Sequence, residues 1–176
     1  MKRLYVHIIK KHFERFKQML FLAGPRQVGK TTISLAVAKA LTPHFTYLNW
    51  DNQDHRQTIL EGPAAIAHLM GLKKIKTATS LIVFDELHKY RQWKNFLKGF
   101  FDTYHDQVKI IVTGSSKLDI YRTGGDSLMG RYFPYRIHPL SVAEYLRTTT
   151  HEDEIILPHS ISSSSFNALF EFGGFP

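Results

Sequence analysis

The segment Gly24-Pro25-Arg26-Gln27-Val28-Gly29-Lys30-Thr31 fits the pattern G-x-x-x-x-G-K-[ST] and stands where a strand should pass into a helix. Before it, Gln18 to Ala23 is a short apolar run suited to a buried strand. After it, Ile33, Ala36, Val37 and Ala40 recur at helical spacing as far as Leu41. A loop so placed can turn successive backbone N–H groups inward on the β- and γ-phosphates of a nucleotide at the helix N-terminus. Gly24 and Gly29 are expected to supply backbone conformations closed to other residues. Lys30 adds a point charge, and the Thr31 hydroxyl is a candidate ligand for Mg²⁺. The bare pattern recurs by chance in large proteomes; the strand before it and the helix after it separate it from an ordinary Gly-rich turn. The candidate nucleotide-binding set is therefore Gly24, Pro25, Arg26, Gln27, Val28, Gly29, Lys30, Thr31 and Thr32.

The rest of the chain supplies the sheet that such a loop needs. Leu4, Tyr5, Ile8, Ile9, Phe13 and Phe16 mark one side of a first helix whose other side is basic. Phe45 to Trp50 alternates like a second strand and stops at the polar group Asp51-Asn52-Gln53-Asp54. His55 to Leu72 reads as one or two helices broken near Gly62-Pro63. The run Ser80 to Asp85 ends its apolar core in a carboxylate, as expected of a central parallel strand whose C-terminal end faces a ligand. A long helix is predicted on Trp93, Phe96, Leu97, Phe100, Phe101 and Tyr104, and another buried strand on Val108 to Thr113, ended by Gly114-Ser115-Ser116. Past the Gly-rich stretch Thr123 to Asp126, Tyr132 to Ile137 is a candidate fifth strand. Ser141 to Glu144 then has capping-box spacing, and Ser162 to Ser165 reads as a loop or helix N-cap ahead of Phe166 to Phe172.

The tandem Asp85-Glu86 is the second half of the candidate site. Asp85 can hold the Mg²⁺ shell, usually through water, and Glu86 can orient or deprotonate the water that attacks the γ-phosphate. An isolated Asp-Glu is equally a solvated helix cap; the position at a strand end argues for the acidic pair. The interval from Lys30 to Asp85 has room for helix, strand, helix and strand, so a further strand lies between the two loop-bearing strands in the sequence. That order and Glu86 favour hydrolysis over small-molecule phosphotransfer, and the absence of an N-K-x-D segment favours ATP over GTP. Ser115, beside Thr113 and Ser116, is a candidate bridge between γ-phosphate, water and Glu86, or else a cap on the following turn. Arg131 is a candidate γ-phosphate reader, in cis or across a subunit interface, or else a surface salt bridge. Arg26 is expected on phosphate or a neighbouring carboxylate, and Arg56 on Asp51 or Asp54.

Length and composition set the outer limits. The 176 residues suit one α/β domain with a small helical appendage. Cysteine is absent, which excludes disulfides and thiolate metal sites and suits a reducing cytoplasm. The ten histidines show no metal-ligand spacing. Lys10, Lys11, Glu14, Arg15 and Lys17 interrupt any N-terminal apolar stretch, so neither a signal nor a membrane span is expected. A net charge of +8 permits a polyanionic partner. Lys73, Lys74 and Lys76 form one basic cluster; Arg91, Lys94 and Lys98 are expected on one helix face as another.

Taken together, G-P-R-Q-V-G-K-T-T at Gly24 to Thr32, L-I-V-F-D-E-L-H-K-Y at Leu81 to Tyr90, V-T-G-S-S at Val112 to Ser116, L-M-G-R at Leu128 to Arg131, P-L-S-V-A-E at Pro139 to Glu144 and the closing G-G-F-P resemble a bacterial and archaeal family of AAA-type ATPases with a nuclease-like C-terminal domain. The resemblance spans roughly residues 15 to 145 and the last four. It implies that Lys30 and Thr31 bind nucleotide and Mg²⁺, that Asp85 and Glu86 form the acidic pair, that Ser115 or Ser116 is the sensor, and that Arg131 is a finger or γ-phosphate reader. In such proteins the chain continues past G-G-F-P, which implies that the nuclease-like half is missing here.

The expected fold is α/β, a three-layer P-loop NTPase fold of AAA type, with a parallel sheet of about five strands flanked by helices and a short helical C-terminal segment. Residues 1–145 are expected to form the ATPase core with its N-terminal helix, and residues 146–176 the start of a helical lid or linker. The leading expectation is Mg²⁺-dependent ATP binding and hydrolysis that drives or gates an attached domain or partner, catalysed through Glu86, Lys30, Ser115 and Arg131, with Thr31 and Asp85 on the metal. The alternative is a nucleotide-bound switch or nucleic-acid-binding module with little turnover. ATP and ADP are the expected ligands, DNA a candidate partner through the basic patches, and a homo-oligomer a candidate assembly.

Overall fold

The computed structural model describes residues 3–72, 79–115, 128–146 and 160–175. Five strands form one sheet: β1 (Met19–Ala23), β2 (Phe45–Asn49), β3 (Ser80–Asp85), β4 (Val108–Gly114) and β5 (Tyr132–Arg136). All neighbours are parallel, in the order β2-β3-β4-β1-β5. Parallel strands need crossovers, and these are α2 (Lys30–Leu41), α3 (Gln53–Leu60) with α4 (Pro63–Leu69), and α5 (Trp93–Tyr104); α1 (Leu4–Arg15) precedes the sheet. Gly62, at φ 98°, and Pro63 at the first position of α4 make the expected break between α3 and α4.

The side-chain period of two divides the sheet into two apolar faces. Leu20, Leu22, Leu81, Val83 and Ile111 point to one side, where Ile9 and Phe13 of α1 and Ile33 and Val37 of α2 cover them. Met19, Phe21, Ile82, Phe84, Ile110 and Val112 point to the other, beneath α3, α4 and α5. Phe84 is met edge-on by Phe96 at 5.6 Å and Phe100 at 5.7 Å, the geometry in which a ring edge meets a ring face favourably. The three-layer α/β fold expected from the sequence is therefore present. Every residue of β3 is buried, on both faces of the sheet, which is why its sequence reads as a continuous apolar run rather than an alternating one.

Two local expectations needed revision. Phe16 does not continue the apolar face of α1: the helix ends at Arg15, and Phe16 is extended, 41% exposed and packed on Phe133. His12 takes the buried place instead, with its ring nitrogens near the Tyr135 hydroxyl at 3.2 Å and the Gln18 carbonyl at 3.1 Å. Burial pushes its pKa down. Arg91 likewise precedes α5 rather than sharing its face with Lys94 and Lys98. The C-terminal elements are α6 (Val142–Tyr145) and α7 (Ser163–Phe172), each N-capped by a serine: Ser141 Oγ accepts from Glu144 N, and Ser162 Oγ from Ser165 N. Lys73, Lys74, Lys76, Ser116 and the stretch Thr123 to Asp126 lie outside the described residues.

Candidate nucleotide site

The loop between β1 and α2 is shaped by two glycines for different reasons. Gly29 is the N-cap of α2 at φ 89°, a left-handed conformation costly for any side chain. Gly24 has no such torsion, contrary to the expectation; its place requires glycine because a Cβ there would lie 2.4 Å from the carbonyl oxygen of Ile137 beyond β5. Gln27 supplies the second left-handed turn at φ 60°. Gly29 brings no side-chain cap to α2, so the N–H groups of the first helical turn have no side-chain oxygen at the positive end of the helix dipole. That donor set fits a phosphate.

Lys30 opens the helix and folds back into the loop. Its Nζ donates to Pro25 O at 2.6 Å and Gly24 O at 3.1 Å. Burial lowers its pKa, against Glu86 and Asp85, which raise it. Thr31 donates through Oγ1 to Asp85 Oδ2 at 2.9 Å. The same oxygen accepts from the Tyr47 hydroxyl at 2.7 Å, and Oδ1 accepts from the Thr113 hydroxyl. The parallel register explains the meeting, since Asn49, Asp85 and Thr113 lie side by side at the C-terminal ends of β2, β3 and β4. Burial, then the Asp85 carboxylate, pushes the Tyr47 phenol well above its ordinary range. Thr31 and Asp85 are thus adjacent oxygen ligands of the kind Mg²⁺ takes, and the residues present fit that ion.

Glu86 follows Asp85 in a left-handed conformation, φ 56°, which turns it out of the strand and into a 3-10 turn over Leu87–Lys89. Its Oε2 lies 3.4 Å from Lys89 Nζ and 3.7 Å from His88 Nε2. Lys89 also pairs with Asp51 after β2, at 2.5 Å. Ser115 Oγ is 3.3 Å from the same His88 Nε2, so one imidazole stands between the candidate water-activating carboxylate and the candidate sensor. His88 Nδ1 is buried with no hydrogen-bond partner, and burial pushes the ring pKa down, so the neutral ring is favoured at neutral pH.

The remaining sequence candidates divide. Lys30, Thr31, Asp85, Glu86 and Ser115 gather at the C-terminal ends of the strands. Arg131 does not join them: its carbonyl accepts from Met19 N at the start of β1, and its guanidinium is paired with Asp102 on α5 at 2.6 and 3.0 Å. The length of β1, about 16 Å, separates that end of the sheet from the loop. Arg26 is exposed on the loop. Arg56 pairs with neither Asp51 nor Asp54 as expected; its Nε donates to Trp50 O at 3.0 Å and its guanidinium lies 5.6 Å from the Trp50 ring centroid. Residues not anticipated are Tyr47, His88 and Arg3, the last donating to Val28 O in the loop at 3.0 Å. Of these only His88, two positions after Glu86, stood inside a motif already singled out, Leu81 to Tyr90.

Comparison with known proteins agrees with this fold. The sequence profile of the family described as AAA domain matches residues 16–146. No curated protein matches the sequence. The fold is similar to the structure of C. elegans PCH-2, with a TM-score of 0.53 and 16% identity, covering 76% of this chain and 40% of that one. It is also similar to the Aeropyrum pernix ORC1 protein in complex with DNA, with a TM-score of 0.56 and 16% identity, covering 81% of this chain and 45% of that one. The chain thus spans less than half the length of either. Among the described residues no helix is long and apolar enough to cross a membrane.

Proposed function

The chain belongs to the AAA domain family, and from that premise we propose that it binds ATP with Mg²⁺ and hydrolyses it, the nucleotide state driving or gating an attached domain or partner. The observation that carries the reading is the 2.9 Å contact between Thr31 and Asp85, 54 positions apart, beside a helix N-terminus with no side-chain cap. The backbone N–H groups of Gly29 to Thr32 and the Lys30 ammonium hold the β- and γ-phosphates, with Lys30 exchanging its two loop carbonyls for phosphate oxygens. Thr31 would hold Mg²⁺ directly and Asp85 through water, and the ion would offset charge on the phosphate oxygens during transfer. Tyr47 and Thr113 fix the Asp85 carboxylate by donating to both of its oxygens. Glu86 orients or deprotonates the attacking water, and Ser115 monitors the γ-phosphate in contact with His88.

Nucleotide binding and turnover without an added acceptor test this reading and separate hydrolysis from phosphotransfer. Lys30→Ala should sharply weaken ATP binding, whereas Glu86→Gln should keep ATP bound and stop turnover. Parent-like hydrolysis by both variants removes the assignment. One observation favours the alternative of a switch with little turnover: Glu86 is already engaged by Lys89 and His88. Tight binding with little turnover that rises in Lys89→Ala would select that reading.

Further parts of the proposal rest on composition and placement. Residues 1–145 act as the ATPase core and 146–176 as the start of a lid or linker, in a reducing cytoplasm. Arg131, remote from its own loop, serves the phosphate of a neighbouring subunit in a homo-oligomer. The net charge of +8, with Arg91 just before α5 and Lys94 and Lys98 in its first half, supports DNA as a partner. A DNA titration across salt concentrations should show a steep loss of affinity; weak, flat binding removes DNA.

A further inference from the structure

The segment that follows β5 touches the phosphate loop through its backbone. Ile137 N donates to Ala23 O at 2.7 Å, and Gly24 lies so close to the Ile137 carbonyl that no Cβ fits between them. Farther round the loop, Arg3 makes a second connection. Its Nη1 donates to Val28 O at 3.0 Å, its Nη2 to His138 O at 2.7 Å and Glu144 Oε2 at 3.1 Å, and its Nε to Glu144 Oε1 at 2.8 Å. Leu4 N adds a bond to Glu144 Oε1 at 2.9 Å. The side chains of the pair are only 10% and 4% exposed. On the far side of the same segment, Leu140 N donates to Gly174 O at 2.5 Å, and a Cβ on Gly174 would stand 2.3 Å from Leu140 O. Two sequence motifs without a role in the nucleotide chemistry, Pro139 to Glu144 and the closing glycines, therefore meet each other here, and the first of them is joined to the loop by Arg3.

Resting on the nucleotide reading above, we propose that Arg3 is a positioning residue that couples the phosphate loop to the segment Gly173-Gly174-Phe175, through Glu144 and the backbone of residues 138–140. Arg3 acts through the Val28 carbonyl and touches no phosphate. A guanidinium held bidentately by a buried carboxylate has one favourable orientation, and loss of either partner strands a buried charge, so the fork resists bending. The other joints are backbone against backbone, at glycines that leave no side chain to absorb a shift. Rotation of the Val28–Gly29 peptide as the loop closes on an anion must therefore either break the Arg3 bond or move residues 138–140 against Gly174. The far end of the path carries Phe170, Phe172 and Phe175, exposed by 84%, 78% and 55%, so the loop's state reaches an apolar surface.

Hydrogen–deuterium exchange of the whole chain tests the coupling. In the absence of nucleotide, Gly174→Ala should raise exchange at loop amides 26–31 by about fivefold or more, and Glu144→Gln should do the same. The double variant should exceed the larger single effect by little, because both cut one path. A loop unmoved by Gly174→Ala, or effects that simply add, overturns the proposal. So does a uniform rise that includes the β3 amides Leu81 to Phe84, which assigns the pair to folding stability alone. Should Glu144→Gln not fold, Arg3→Lys, which keeps the charge and loses the fork, takes its place. With MgADP, the parent should gain protection at both the loop and residues 169–175, and Glu144→Gln at the loop alone. If MgADP protects neither in the parent, the nucleotide reading falls, and the nucleotide-free comparison still decides for or against Arg3.

Discussion

Asp85 is the point on which three hydroxyls converge, and it separates structural from metal-binding effects. Thr113 is fully buried, whereas Thr31 and Tyr47 are half-buried and can reach water. In Asp85→Ala the Thr113 hydroxyl loses its acceptor in a place water does not reach, at a cost of about 1–3 kcal/mol. The other two hydroxyls recover most of their bonding from solvent. Against this, removing a carboxylate that is 4% exposed returns part of its desolvation cost. What the two half-buried hydroxyls fail to recover and the desolvation returned act in opposite directions, so the net expectation is a loss of roughly 1–3 kcal/mol, or about 3–9 °C in Tm for a domain of this size. Asp85→Asn keeps an oxygen for Thr113, and its amide can donate to the oxygens of Thr31 and Tyr47, so the loss should stay below about 1 kcal/mol. Both variants should lose the added stability that Mg²⁺ with ADP gives the parent, about 2.7 kcal/mol at a hundredfold excess over Kd. Thermal unfolding with and without MgADP reads all of these. Equal destabilisation by Ala and Asn, or MgADP stabilisation that survives in Asn, would refute the account of Asp85 as both hub and metal ligand.

Gly24→Ala should force β1 and β5 apart, because the clash is with a backbone carbonyl; a loss of about 1–3 kcal/mol and weaker nucleotide binding are expected from unfolding and titration curves. His88→Ala should lower turnover with little change in nucleotide affinity, measured as kcat against KM, since it removes the group between Glu86 and Ser115. The folded-state pKa of His12 lies below its unfolded value of 6.5, so below that pH the unfolded chain binds the proton first. Stability from this site should be complete above pH 6.5 and decline as pH falls toward the folded value, with a shallower decline in His12→Gln, read from Tm against pH. For Arg131, mixing Arg131→Ala with Lys30→Ala should restore part of the turnover if the arginine serves a neighbour; no recovery at any ratio removes that role.

Most of the sheet was legible because buried parallel strands leave a strong mark. Leu81 to Phe84 and Ile110 to Val112 are short, continuous and apolar, and each passes into polar or glycine residues, Asp85 and Thr113-Gly114, with which its strand closes. The α5 stripe of Phe96, Leu97, Phe100 and Phe101 read correctly because a helix facing one layer must repeat near 3.6 residues. Phe16 was misread for the converse reason. Its spacing suits α1, but the helix terminates one residue earlier, and a periodicity argument cannot see a helix end that lacks a glycine or proline signal. Gly24 shows a different limit: the residue type was informative, but a torsion requirement and a close approach to Ile137 leave the same mark in the sequence.

The site was legible where strand direction decides it and opaque where side chains from distant segments meet. Arg3 and Glu144 are 141 positions apart, and neither stands in a pattern that names the other. Tyr47 looked like one more alternating strand residue, and its contact with Asp85 follows only once β2 is known to lie beside β3 in that register. Arg131 could have been placed more sharply from the sequence. In a sheet whose strands all run parallel, residues just after a strand share the end that holds the phosphate loop, and residues just before a strand share the opposite end. Ser115 and Glu86 follow strands, whereas Arg131 immediately precedes Tyr132, the first residue of β5. A cis contact with the chain's own γ-phosphate therefore conflicts with the connectivity itself, independently of the Asp102 pair. The connectivity therefore places Arg131 at the end of the sheet that its own phosphate loop does not occupy.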